Sequence, residues 1–226
     1  EIYNGFFKRM QTGKPWLRMK IAQSLDGHTA LNNGNSQWLT QADARQDGHR
    51  WRARACAVLT GIGTVLDDDP LLNVRGIDTP RQPDLLLIDS QLQTPLNARL
   101  WNPPRRVVIF HAQEHPDKAQ ALQAQGAHLV HLPGPGNKVD LPAMVTQLAD
   151  MAYNEVHVEA GSKLNGSLMR AGLVQLTVSD DPVANLPVTL GHIRHAVAGG
   201  AGFVLTPECT NALSSNRAKQ REVLRF

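Results

Sequence analysis

Two glycine-bearing turns and a scattered set of cations are the parts of this sequence that could do chemistry. The first turn is Gly61-Ile62-Gly63-Thr64, after the apolar run Ala57-Val58-Leu59-Thr60. Paired glycines let backbone N–H groups approach a phosphate, and a helix starting there favours negative charge. The spelling is not GxGxxG, and a plain strand-to-helix turn reads the same way. The second turn is Glu159-Ala160-Gly161-Ser162, between a strand pattern and a helix pattern. A cofactor phosphate could sit on Gly161, Ser162 and the backbone beyond, with Gly166 allowing close packing. A tight structural turn is again the alternative. The glutamate favours a site, because the carboxyl ends of strands face the ligand crevice in open α/β sheets.

The cations are Lys20, Arg52 and Arg75. An arginine can hold a phosphate through two parallel hydrogen bonds, though most arginines are solvated surface. Ser36 and Trp38 share one polar loop and could offer a hydroxyl and an aromatic wall. Two patterns imitate metal sites. His111-Ala112-Gln113-Glu114-His115 matches an inverted zinc-protease spelling. That chemistry needs both histidines on one continuous helix, whereas this segment follows a strand and meets Pro116, so no metal is expected. His192-Ile193-Arg194-His195 has no obvious further ligand.

The elements that must position these groups alternate. Residues 16–21 read as a half-buried strand, and Asp26-Gly27 as a turn. Thr40 with Asp43 resembles a capping box. It opens a helix in which Ala44, Gly48, Trp51 and Ala55 recur at helical spacing, so that face is expected to be buried. Residues 57–60 are a short buried strand, and 63–68 one helical turn. Strands follow at 84–88, 106–110, 127–132 and 155–159, and helices at 115–124, 140–151 and about 164–171, with Asp140 as a cap. Strands alternating with helices imply a mainly parallel sheet covered by helices, an α/β fold. The stretch from Asp180 onward has weak periodicity and resists placement.

At 226 residues the chain suits one sizeable α/β domain. Hydrophobic content of 42% and charged content of 19% are those of an ordinary globular chain. No apolar run is long enough for a membrane span. The net charge of +3 is spread along the chain, which argues against nucleic acid and suits a phosphorylated small molecule equally well. Cys56 and Cys209 have no metal or redox spacing and are expected to be reduced thiols in the cytoplasm. The opening EIYNGFFKRMQTGKPW lacks an initiator Met and a signal core, and is expected to derive from a longer chain.

Several segments in one order resemble a known family: GFFKRMQTGKPW, KIAQSLDG, SQWLT, WRARA, GIGTVLDDDPLLNVR, IDSQ and VEAGSKLNGSLMRAGLV. Together, from Gly5 to about Val174, they are similar to the reductase half of the bifunctional riboflavin-biosynthesis deaminase/reductase. The resemblance implies a single dihydrofolate-reductase-like domain. It also implies NADPH-dependent reduction of the ribosyl group of 5-amino-6-(5-phosphoribosylamino)uracil to a ribityl chain. Ala22, Trp38, Thr64, Asp68 and Ser90 resemble the family's NADP contacts, and Gly161, Ser162, Lys163, Leu164, Asn165, Gly166 and Ser167 its phosphate-binding turn. Ser36, Arg52, Leu72, Arg75 and Glu159 resemble its substrate contacts. By the same resemblance Lys20 falls in the family's strand beside the nicotinamide and is the candidate catalytic or orienting cation, with a structural ion pair as its alternative.

The implied organisation is a linker at 1–15 from an N-terminal deaminase domain, a reductase domain at 16–178 and an atypical segment at 179–226. The expected assembly is a homodimer. The deaminase's own H-x-E and P-C-x-x-C motifs do not occur in this sequence. After Val174 the text leaves the family's pattern, although 175–178 and 203–206 still read as strands. A related reductase of another pterin- or pyrimidine-like substrate, or a nucleotide-binding module made inactive by its tail, are the rival readings.

Overall fold

A computed structural model of the chain describes residues 3–22, 42–169, 171–173, 182–198 and 203–205. The chain forms two compact units, Glu1–Asn165 and Gly166–Phe226.

The first unit is built on a six-stranded sheet: β1 (Trp16–Met19), β2 (Ala57–Gly61), β3 (Asp84–Ile88), β4 (Val107–His111), β5 (Ala127–His131) and β6 (Glu155–Val158). Their order is β1-β6-β2-β3-β4-β5, and every neighbouring pair is parallel. The chain therefore walks outward from β2 to β5 and returns to insert β6 between β1 and β2. Parallel strands end on one edge, so the segments after β1, β6, β2 and β3 open side by side there.

The pleat explains the core. Val58, Leu85, Leu87, Val107 and Ile109 lie within one apolar cluster with Val65, Leu72, Leu100 and Leu122. The alternate residues Leu59, Leu86, Val108 and Phe110 are equally buried, so the central strands are covered on both faces. Helix α1 (Asn4–Thr12) precedes β1 and lies so close to Asn154 that a Cβ on Gly5 would meet the Asn154 carbonyl oxygen at 2.6 Å. Helices α2 (Ala42–Arg54) and α3 (Ile62–Asp68) flank β2, α4 (Pro116–Ala124) joins β4 to β5, and α5 (Leu141–Asp150) leads to β6. The Asp140 carboxylate caps α5 by accepting from the Ala143 N–H at 2.9 Å, as its spacing suggested.

Three expectations need correction. Helix α2 buries no residue: Ala44 is exposed, Gly48 and Trp51 are half-buried, and Ala55 is buried but lies beyond the helix end. Its sequence offers too little apolar surface for a core stripe, and its half-buried positions Arg45, His49 and Arg52 carry polar groups instead. The segment expected as one turn after Gly61 is a seven-residue helix, 62–68, closed by Asp69 in the left-handed region at φ 40°. The helix expected to reach Ala171 is α6 (Ser162–Leu168), and β7 (Ala171–Leu173) follows.

In the second unit β7 pairs in parallel with β8 (Phe203–Leu205), and α7 (Pro182–Ala198) runs between them. This is a β-α-β crossover that the weak periodicity of the tail concealed; β8 itself was expected. Thr40 and residues 175–178 lie outside the described residues. Among the described residues, no helix is long and apolar enough to cross a membrane.

Candidate active site

Glu159 stands on the open sheet edge between the ends of β1 and β2. It follows β6 directly, and its N–H continues the ladder to the Leu59 carbonyl at 2.9 Å. Arg52, near the end of α2, grips it with both prongs: Nη2 donates to Oε2 at 2.8 Å, and Nε donates to Oε1. The third arm, Nη1, donates to the Asn73 carbonyl at 2.8 Å and so ties the pair to the 71–76 turn. His157 lies two residues before Glu159 on the same strand face, with Nε2 at 3.4 Å from Oε1, within ion-pair reach but without a well-formed hydrogen bond. Burial pushes the Glu159 carboxyl up, but the Arg52 hydrogen bonds and then His157 pull it down further, so it stays well below the usual carboxylate range.

The 71–76 turn carries the next two candidates. Leu72 is buried with φ 49°, a left-handed conformation that a non-glycine residue holds only when its surroundings enforce it. Arg105 supplies the enforcement. Its guanidinium donates to the carbonyls of Leu72 and Leu71, both at 2.6 Å, and to that of Leu100 at 3.2 Å. Burial, and then Arg52, lower Arg105 to about 10, still cationic at neutral pH. Arg75 is exposed at the far end of the turn, with Nη1 donating to the Asn73 side-chain oxygen. Partial burial and the guanidiniums of Arg52 and Arg99 lower it from the ordinary arginine value, the mark of crowded cations. The crowding makes this corner a ready anion site.

Lys20 follows β1. Its N–H donates to the Val158 carbonyl at 3.0 Å, which sets it beside Glu159 in the register, and its side chain is exposed. Ala22 is half-buried two residues on. Ser36 and Trp38 lie outside the described residues. The two glycine turns meet each other: a Cβ on Gly61 would find Leu164 Cδ2 at 3.2 Å. Thr64 is half-buried and Asp68 exposed on α3. Gly161, Ser162 and Lys163 are exposed, with open space where a Gly161 side chain would stand. Asn165 is buried; its Nδ2 donates to the Ala160 carbonyl at 2.9 Å, and its Oδ1 has no partner among the described residues. Gly166 and Ser167 belong to the second unit. The open turn at Gly161, with the first N–H groups of α6 behind it, can take an anion such as a nucleotide phosphate, to which the buried acceptor Asn165 Oδ1 contributes nothing.

Ser90, at the end of β3, is a structural tie: Oγ accepts from the Val139 N–H at 3.2 Å, and its carbonyl accepts from Ala112 and Gln113. The hydroxyl proton is left to donate elsewhere. His111 ends β4 and α4 begins only at Pro116, so the zinc-protease spelling is not on a helix. His111 instead stacks on His131 with ring centroids 5.0 Å apart. On α7, His192 and His195 are both exposed.

Sequence reasoning passed over His49, Asn73, Arg105 and His157. Two had a signal: His49 precedes Arg52 by one helical turn, and His157 precedes Glu159 by one strand period. Arg105 had none, because the Leu71 and Leu72 carbonyls that tie it to the site are 34 and 33 residues away in sequence.

Residues 15–216 match the RibD C-terminal domain. The chain belongs to that family. The riboflavin biosynthesis protein RibD of Escherichia coli K12 is 34% identical over 182 residues, covering 77% of this chain and 50% of the relative. That of Aquifex aeolicus is 31% identical over 172 residues, covering 76% and 47%. The chain thus spans about half the length of these curated RibD relatives. Among solved structures, Acinetobacter baumannii RibD superposes with a TM-score of 0.63 at 35% identity, over 73% of this chain and 45% of that one. A Thermotoga maritima diaminohydroxyphosphoribosylaminopyrimidine deaminase/5-amino-6-(5-phosphoribosylamino)uracil reductase superposes at 0.58 with 26% identity, over 71% and 43%. The α/β fold is that of the RibD reductase domains, dihydrofolate-reductase-like, and a nucleotide cofactor is consistent with the family.

Proposed function

We propose that this chain is the reductase of a RibD-type protein, reducing the ribosyl group of 5-amino-6-(5-phosphoribosylamino)uracil to a ribityl chain with NADPH. The observation that carries the reading is the edge itself. A half-buried arginine–glutamate pair, an exposed arginine and an open glycine turn surround the carboxyl ends of adjacent parallel strands.

When bound, the cofactor supplies a hydride and leaves as NADP+. That hydride would go to C1 of the opened sugar, or its Schiff-base equivalent, with a proton going to the attached oxygen or nitrogen. The chain's task is orientation and charge. Arg75 offers its guanidinium to the substrate phosphate, while Arg52 keeps Glu159 ionised and fixed as an acceptor for sugar hydroxyls. Leu72 lines the same substrate site, and the resemblance makes Ser36 a further substrate contact. Lys20 is the cation beside the reacting carbon. Gly161, Ser162, Lys163, Leu164, Asn165, Gly166 and Ser167 hold the cofactor phosphates, and Ala22, Trp38, Thr64, Asp68 and Ser90 contact the rest of the cofactor. The resemblance also supports residues 1–15 as a linker to a deaminase domain of the parent chain, a reductase domain at 16–178, and a homodimer.

The test is NADPH oxidation with the deaminated substrate supplied by a separate deaminase. Turnover by the wild type, lost in Arg75→Ala while NADPH still binds, is the expected result. A folded, NADPH-binding wild type that never oxidises it would overturn the reading. Turnover insensitive to Arg75→Ala would point to an unphosphorylated substrate.

A further inference from the structure

His49 connects the two arginines of the site. It sits one helical turn before Arg52 on α2 and is half-buried. Its Nδ1 accepts the backbone N–H of Arg75 at 3.3 Å and lies 3.5 Å from Arg52 Nη1. We propose that His49 is a positioning residue: as a neutral ring accepting at Nδ1, it fixes the Arg75 backbone to α2 and so aims the Arg75 guanidinium at the substrate phosphate. This rests on the anion-gripping role of Arg75 argued above and adds what holds that arginine in place.

The chemistry of the acceptor sets the condition. Nδ1 can accept only when it carries no proton, so the neutral tautomer must have its hydrogen on Nε2. The groups facing the ring come from three elements: Arg52 from α2, Arg75 and the Asn73 backbone from the 71–76 turn, and Glu159 from the end of β6. Burial, then Arg52 and Arg75, disfavour the protonated ring; Glu159 and the Asn73 backbone favour it, and the balance lowers the pKa from 6.5. The bond is therefore made at neutral pH. Protonation in acid turns the acceptor into a donor facing a donor, and the turn is released.

The test compares His49→Ala with His49→Asn, whose side-chain oxygen stands close to where Nδ1 stands and does not titrate. Amide exchange at Arg75 is the direct readout, because that N–H is the donor. His49→Ala should raise Arg75 exchange and the KM for the phosphorylated substrate by about fivefold or more, the scale of one lost hydrogen bond, with a smaller change in kcat. His49→Asn should restore both. It should also abolish the loss of Arg75 amide protection, taken relative to the intrinsic exchange rate at each pH, and the rise in KM that the wild type develops as the ring protonates at some pH below its ordinary 6.5. Wild-type exchange at Arg75 in His49→Ala, or equal damage from both variants, would overturn the proposal. A wild type without turnover would count against the reductase reading alone, since Arg75 exchange still decides the role of His49.

Discussion

Arg52 and Glu159 face each other as a two-pronged pair across 107 residues of sequence, both side chains nearly buried at 14% and 12% exposure. Such a pair offsets its own desolvation only while both members stand. Glu159→Ala should therefore destabilise the domain by about 3 kcal/mol, read from the urea midpoint, because it strands the Arg52 charge. Arg52→Met with Glu159→Leu should recover most of that loss, since an apolar pair of similar volume has no charge to desolvate. Turnover should be lost in both. A double variant less stable than the single one would contradict this account of the pair.

Acid should reveal the same pair through its sign. The Glu159 carboxyl titrates below its ordinary 4.5 in the folded chain, so the folded state binds fewer protons there than the unfolded one. The stability it contributes is present above 4.5 and is lost as pH falls through the folded pKa. His49 acts in the same direction one window higher, its stabilising share fading as pH falls below 6.5. Urea midpoints should thus decline gently from 6.5 and steeply below 4.5. Glu159→Gln should remove the steep limb. It should also lower the His49 pKa further, because Glu159 favours the protonated ring; ring titration followed by NMR checks both the limb and the coupling.

Lys20 separates a chemical role from a structural one. Its side chain is exposed at the end of β1, so an ion pair made there would add little stability. Lys20→Met should leave the melting temperature within about 2 °C, as expected for a surface change. If the ammonium orients or protonates the reacting group, kcat should fall by about 100-fold with NADPH affinity unchanged. A lowered melting temperature with intact kcat would assign Lys20 to structure instead.

How much of this could be read in the sequence depends on how local the cause was. The strands at 84–88 and 155–158 and the Asp140 cap follow from pleat, apolar runs and a side chain three residues from its N–H, all visible in a short window. The glycine turns and the carboxylate at the end of β6 were visible for the same reason. The face of α2 was misread because helical spacing says which residues share a side, not what that side meets; here it meets Glu159 and the 71–76 turn rather than the core. Arg105 and the left-handed Leu72 were illegible, since the carbonyls that reveal them are 33 and 34 residues away. The crossover helix α7 was hidden by an interior Pro187 and by apolar residues that keep little helical periodicity.

The contact between Gly61 and Leu164 gives the proposed cofactor turn its own test. Gly61 has extended backbone, φ −107° and ψ 157°, so any residue could adopt its conformation. What excludes a side chain is Leu164 Cδ2, 3.2 Å from where a Cβ would stand. Gly61→Ala should therefore leave the backbone unstrained and push on Leu164, and through it on the turn beginning at Gly161. NADPH affinity should fall several-fold while the melting temperature changes little, since the far end of a leucine can yield by tenths of an ångström. Leu164→Ala alone should cost some affinity through the space it leaves. The double variant Gly61→Ala with Leu164→Ala should bind NADPH better than the sum of the two losses allows, because each change relieves the other, by about 0.5 kcal/mol or more on a double-mutant cycle. Additive losses in that cycle would mean that the two turns meet without transmitting force, and that the cofactor turn is set by α6 alone.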